Sequence, residues 1–125
     1  MKRTVLVIED NEQNLYLVTF MLEKNGYEVV PARDGQEGID LAGRVNPLLI
    51  LLDIQLPGMN GYEVAQALRS NPALGQVPIV AVTSYAMVGD RERDLEAGCS
   101  GYIEKPINPE TFVADVERHL PKETQ

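Results

Sequence analysis

Three short runs constrain this chain more than any other feature of its sequence. Thr4 to Ile8, Leu48 to Leu52 and Ile79 to Val82 are nearly continuous in Val, Ile and Leu. A strand with one face in water alternates apolar with polar residues, so an unbroken apolar run of this length reads as a strand covered on both faces. Weaker strand signals lie at Tyr27 to Val30, stopped by Pro31, and at Gly101 to Ile103, ahead of Lys105 and Pro106. Five strands are predicted.

Helical patterns separate them. Leu15, Val18 and Leu22 share one face at i, i+3, i+7 spacing, and Gly26 supplies a left-handed stop. Asp34 followed by Glu37 forms a capping-box pattern for a helix through about Arg44, with Ile39 and Leu41 among its apolar positions, and Asn46-Pro47 breaks it. A third helix is expected from about Tyr62 to Ser70, with Val64, Ala67 and Leu68 facing inward and residues 71–78 as its exit loop. A fourth, more polar helix is expected from about Val88 to Ala97, stopping at Gly98. A fifth runs from Asn108 as N-cap, with Pro109 at its first position, to near Leu120. Strict strand–helix alternation with connections of this length implies right-handed crossovers and a parallel sheet covered on both faces, a doubly wound α/β sandwich with five helices.

The 125 residues fit a single domain over 1–125, with a core of about 3–120, and no linker or repeat interrupts them. A net charge of −8 argues against a chain that tracks phosphate backbones, which takes clustered Lys and Arg. No segment approaches the roughly 18 apolar residues of a membrane span. Only five apolar or near-apolar residues separate Lys2-Arg3 from Glu9, too few for a signal peptide, and the single cysteine, Cys99, cannot pair within the chain. The expectation is a cytoplasmic protein that binds neither nucleic acid nor membrane, with Cys99 a small buried hydrophobe.

In an open α/β sheet, ligands bind beyond the carboxyl ends of the strands, so the residues that follow each strand decide the chemistry. Here the first strand runs into Glu9-Asp10, the third into Asp53 and the fourth into Thr83-Ser84, while Lys105 follows the fifth. Any one of these alone is an ordinary helix cap or a solvated loop residue. Together they gather three carboxylates, a hydroxyl and an ammonium at one end of one sheet. Carboxylates held this closely repel one another unless a cation offsets them. Magnesium suits them, since it takes oxygen ligands, keeps several waters and shares a phosphate oxygen. Asp10, Asp53 and a backbone carbonyl near Gln55 are the candidate ligands, with Glu9 placed to hold a metal-bound water. The Asp53 carboxylate can then attack phosphorus and form an aspartyl phosphate. Phosphoryl transfer depends more on positioning and charge stabilisation than on a general base, and Lys105 and the Thr83 hydroxyl provide both. The one histidine, His119, falls late in the fifth helix and is expected to take no part.

With these residues in place, the chain resembles the receiver domains of two-component response regulators, from Lys2 to about Leu120. The resemblance rests on the acid pair in VLVIEDN, the acceptor in LLDIQLPGMNG, the hydroxyl in VAVTSYA and the base in YIEKPI. It implies a flavodoxin-like receiver fold with strand order 2-1-3-4-5. It also implies Asp53 as phosphoacceptor, Glu9 and Asp10 holding magnesium with the Gln55 carbonyl, and Thr83 and Lys105 on the phosphoryl group. A cis peptide before Pro106 would aim the lysine inward, and Gly58 and Gly61 would shape the turn beside the acceptor. The implied donor is a sensor histidine kinase or a histidine phosphotransfer protein. The implied role is signalling, with no catalysis beyond the chain's own phosphoryl transfer and dephosphorylation. The wording DIQLPGMNG, VTSYAMVGDRER and GCSGYIEKPI is similar to single-domain regulators of cell-division phosphorelays and to receivers fused to hybrid kinases. Ser84 stands where alanine is more usual, which bears on the lifetime of an aspartyl phosphate.

A receiver exchanges between two conformations, and phosphate favours one. Thr83 moving toward the phosphoryl group is the expected lever, with Tyr102 swinging between exposed and buried positions. The face of the fourth helix, fifth strand and fifth helix is the expected surface for a downstream protein target, and the polar stretch Gly89 to Glu96 fits an exposed partner-binding helix. Other chemistries fit less well. A flavin-binding electron carrier of this architecture needs a Ser/Thr-rich loop after its first strand, where two acids here would repel the flavin phosphate. No glycine-rich loop ends in Lys-Ser or Lys-Thr, which excludes a P-loop hydrolase. A pseudo-receiver would keep the fold without accepting phosphate, but Asp53, Thr83 and Lys105 are all present. The methionine start and the PKETQ tail favour a stand-alone chain over a receiver cut from a hybrid kinase.

Overall fold

A computed structural model of the chain describes residues 3–56, 58–84 and 96–120. In chain order the elements are β1 (Thr4–Ile8), α1 (Glu12–Lys24), β2 (Glu28–Ala32), α2 (Gly35–Val45), β3 (Leu49–Asp53), α3 (Gly61–Arg69), a 3-10 turn (Pro72–Leu74), β4 (Ile79–Thr83), β5 (Gly101–Glu104) and α4 (Phe112–Glu117). Four α-helices thus lie among the described residues. The helix predicted over 88–97 falls almost wholly outside them, as do Tyr85 and the PKETQ tail.

All strands pair in parallel, in the order β2-β1-β3-β4-β5. Every residue of β1, β3 and β4 is buried, which is why their sequences show no alternation. Alternate residues still feed two separate cores. Leu6, Ile8, Ile50, Leu52, Ile79 and Ala81 pack with Val64, Ala65 and Leu68 of α3 and Ala42 of α2. Val5, Val7, Leu49, Leu51, Val80 and Val82 pack with Leu15, Val18 and Leu22 of α1 and Phe112 and Val116 of α4. Burying a Val, Leu or Ile side chain contributes about 1.5–3 kcal/mol. These layers, more than helix propensity, hold such short helices in place.

The two edge strands carry the weak sequence signals because each is partly exposed. Pro31 does not stop β2; it pairs with Val7 inside the strand. Glu28 donates its N–H to the Arg3 carbonyl, and the Ala32 carbonyl accepts from Glu9, so the even-numbered residues of β2 face β1. Pro31 therefore turns its missing N–H toward the open edge, where a sheet tolerates proline.

The helices differ from their sequence patterns in four details. In α2, Asp34 accepts the Glu37 N–H, but the Glu37 carboxylate reaches back to Arg33 rather than to Asp34. The buried positions of α2 are Gly35, Gly38 and Ala42, with Ile39 and Leu41 only partly buried. A Cβ on Gly38 would collide with Ile8, so α2 lies nearer the sheet than large residues would permit. In α3 it is Ala65, not Ala67, that is buried with Val64 and Leu68. Asn108 caps a turn rather than α4 itself, accepting from the Glu110 N–H and, through its carbonyl, from Phe112, where the regular helix begins.

Candidate functional site

Parallel register brings the strand ends into line. Ile8 pairs with Leu52, Leu52 with Ala81 and Ala81 with Tyr102. Glu9, Asp53, Thr83 and Lys105 consequently leave the same carboxyl edge within a few residues of one row. Glu9 is 4 % exposed, Asp53 3 % and Thr83 1 %, so three polar side chains lie in the floor of the sheet's end. Asp10 and Gln55 stand at the exposed rim.

Asp53 Oδ1 is the focus of the cluster. The Lys105 ammonium lies 3.1 Å from it, and the Gln55 N–H donates to it at 2.9 Å. Lys105 is held over the site by its own N–H, which donates to the Thr83 carbonyl at 2.8 Å. The peptide between Lys105 and Pro106 is cis. The loop after β3 closes back on itself through the Gly61 N–H and the Ile54 carbonyl, 3.0 Å apart. A Cβ on Gly61 would collide with the Ile54 backbone and stand 3.0 Å from the Asp53 carbonyl, so only glycine allows α3 to start this close to the acceptor strand. Gly58, with φ +82, turns the same loop.

Glu9, Asp10 and Asp53 each offer a carboxylate oxygen within 4.8 Å of the other two. Burial, followed by the hydrogen bond and charge of Asp53, pushes the Glu9 carboxyl up from 4.5 to about 7. The Asn11 N–H, bonded to Glu9 Oε2 at 3.2 Å, and the Lys105 charge pull in the opposite direction and do not cancel the rise. The pocket is thus short of positive charge, which a small divalent cation would supply. An all-oxygen donor set matches magnesium in kind.

Two contributors stand outside the sequence-based expectations. Asn60 caps α3 in a reciprocal box with Glu63, a pattern visible in the spacing Asn60 to Glu63. Asn11 both caps α1 through its side chain and bonds Glu9 through its N–H; the second role has no local sequence signal. Tyr102 is partly buried against the core shared with α2 and α3. His119 lies away from the pocket: its ring sits against Gly101 at the amino end of β5, with Nδ1 2.9 Å from the Asp115 carbonyl. The stretch 85–95, where the output helix is expected, is outside the described residues.

Residues 5–117 match the response regulator receiver domain family. The chain is 42% identical over 120 residues to the polar-differentiation response regulator DivK of Brucella ovis, across 96% of this chain and 98% of DivK. Chemotaxis protein CheY4 of Vibrio cholerae superposes with a TM-score of 0.92 at 29% identity, over 96% of this chain and 100% of that one. The receiver domain of sensor histidine kinase PA1611 from Pseudomonas aeruginosa PAO1 superposes with a TM-score of 0.86 at 33% identity, over 95% and 98% of the two chains, and holds a magnesium ion in its active site cleft.

The chain belongs to the response regulator receiver domain family. It is a phosphoacceptor response regulator of the two-component type, similar to single-domain regulators and with the sheet order of CheY-like receivers. Domains of this family are signalling domains that bind magnesium at an acidic site and work with histidine kinases or phosphotransfer proteins and with downstream targets. No helix among the described residues is long and apolar enough to cross a membrane.

Proposed function

We propose that Asp53 is the phosphoacceptor and that Glu9, Asp10 and Asp53, with the Gln55 carbonyl, hold the magnesium ion. The observation that carries this reading is the buried Asp53 carboxylate, 3 % exposed, with Lys105 at 3.1 Å and two further acids beside it. An Asp53 oxygen attacks the phosphorus of a phosphohistidine, the new O–P bond forms as the P–N bond breaks, and the imidazole leaves with the electron pair and takes up a proton. A magnesium ion held by these residues would supply charge neutralisation. Lys105 moves from Asp53 to a phosphoryl oxygen, and Thr83 donates its hydroxyl to another.

Register supports the switch. Tyr102 pairs with Ala81, two residues before Thr83, so Thr83 and Tyr102 share one face of the sheet on neighbouring strands. Movement of Thr83 toward a phosphoryl group opens space on the face where Tyr102 sits. The face made by β5 and α4 then meets the downstream protein. The chain works as one receiver unit over 1–125 with a core of about 3–120, in the cytoplasm, and performs no chemistry beyond its own phosphorylation and dephosphorylation.

Intact mass after incubation with a small acyl-phosphate donor tests the assignment. A phosphate-sized gain is expected with magnesium, and none with chelator or in Asp53→Asn. An equal gain in the Asp53 variant removes Asp53 as acceptor. No gain in any sample, with phosphohistidine donors included, makes the chain a receiver that no longer accepts phosphate.

A further inference from the structure

Helix α1 leaves one face uncovered. Leu15, Val18, Met21 and Leu22 are buried, yet Tyr16 is 68 % exposed and Phe20 55 %, the two exposed large hydrophobics among the described residues. Glu12, Tyr16, Phe20 and Lys24 follow one another at intervals of four and so form a single i±4 ridge along the helix. A carboxylate stands at one end, an ammonium at the other and two aromatic rings between. Glu12 bonds Arg33 at 2.9 Å but keeps its side chain 81 % exposed, and the Lys24 ammonium lies 6.0 Å from the Phe20 ring. Both charges remain within reach of a neighbour.

The order acid, aromatic, aromatic, base is self-complementary under two-fold symmetry. Two such ridges set antiparallel about an axis midway between Tyr16 and Phe20 bring Tyr16 of each copy onto Phe20 of the other. The same rotation brings Glu12 of each copy to Lys24 of the other, at both ends. A parallel arrangement would instead oppose like charges. We propose that the Glu12-Tyr16-Phe20-Lys24 ridge of α1 is a homodimer interface whose partner is a second, antiparallel copy of this chain. Aromatic pairs seldom stand in water without a partner surface, and this one is bracketed by the two charges its own image requires. A single helical ridge buries less than a standard interface, and two chains of net charge −8 repel one another, so the dimer forms weakly. The inference is independent of the phosphoryl chemistry.

Sedimentation equilibrium of the full chain from about 10 µM to about 1 mM tests it, since interfaces below standard size dissociate in that range. Wild type is expected to show a concentration-dependent monomer–dimer equilibrium. The double variant Tyr16→Ser/Phe20→Ser is expected to stay monomeric. Glu12→Lys alone and Lys24→Glu alone each replace two attractive contacts with two repulsive ones and weaken dimerisation by on the order of tenfold. Mixed in equal amounts, these two variants are expected to dimerise with each other as wild type does, because the new lysine of one copy faces the new glutamate of the other. Damage to folding could not produce that recovery. Monomeric wild type at every concentration, undiminished dimerisation in the double serine variant, or a mixture no stronger than its components would each overturn the proposal.

Discussion

Replacing Glu9 with glutamine removes an ionisable group from a position where ionisation is costly. In the folded chain, burial and the neighbouring Asp53 raise that carboxyl from 4.5 to about 7. In the unfolded chain it titrates at its ordinary value. Between those two values the folded state keeps a proton that the unfolded state has released. The stability contributed by neutral Glu9 is therefore full below about pH 4.5, falls through the window, and is lost above about pH 7. At roughly 1.36 kcal/mol per pH unit the ceiling is about 3 kcal/mol, and side-chain relaxation with water entry lowers the expected effect to about 2 kcal/mol. The assay is urea unfolding of wild type and Glu9→Gln in chelator at about pH 5 and about pH 8. Across that interval wild type is expected to lose about 2 kcal/mol more than the variant, the carboxylates distant from the site cancelling in the comparison. Excess magnesium at the higher pH is expected to restore wild type and to help the variant much less, because ionised Glu9 then has a cation to meet. A stability difference between the two proteins that stays flat across the interval would refute the picture of Glu9 as a buried, charge-crowded acid.

Lys105→Ala removes the ammonium 3.1 Å from Asp53, and magnesium-dependent labelling by an acyl phosphate is expected to persist but slow by about a hundredfold in stopped-time mass measurements. Gly61→Ala forces a methyl group into the Ile54 backbone, and a loss of about 2–3 kcal/mol in urea unfolding is expected, with weakened labelling because the loop beside Asp53 must shift. Arg69 donates to the carbonyls of Leu74 and Val77 at 3.0 Å and of Gly98 at 2.8 Å, tying the end of α3 to the turn before β4 and to the approach to β5. Arg69→Ala is expected to cost about 2–3 kcal/mol, with little recovery in Arg69→Lys, since a single ammonium cannot span both sides of the contact.

The central strands were the most legible part of the chain. Val, Ile and Leu in unbroken runs leave few alternatives when both faces must be buried, and β1 matches its predicted span of Thr4 to Ile8 residue for residue. The stops were legible for a similarly local reason: Gly26 and Gly98 have positive φ, and Asn46 closes α2 in the left-handed region. The edge strands were harder to read. Their residues are selected on one side by pairing and on the other by water, and Pro31 is acceptable only because β2 lies at the edge. The inward face of α2 was also hidden, because its contact with the sheet is made by Gly35 and Gly38 rather than by large apolar residues.

The sequence by itself determined the kinds of group available and the ends of strands that carry them: Glu9 and Asp10 after β1, Asp53 closing β3, Thr83 closing β4 and Lys105 after β5. Those assignments depend on each residue and its near neighbours, which a pattern can express. Only the tertiary structure decided that parallel register aligns the four ends, that Lys105 comes to 3.1 Å from Asp53, and that Glu9 is crowded enough to resist ionisation until about pH 7. It likewise decided that Tyr16 and Phe20 stay exposed. Distance and desolvation arise between residues far apart in the chain, and no local pattern holds them until the sheet has assembled.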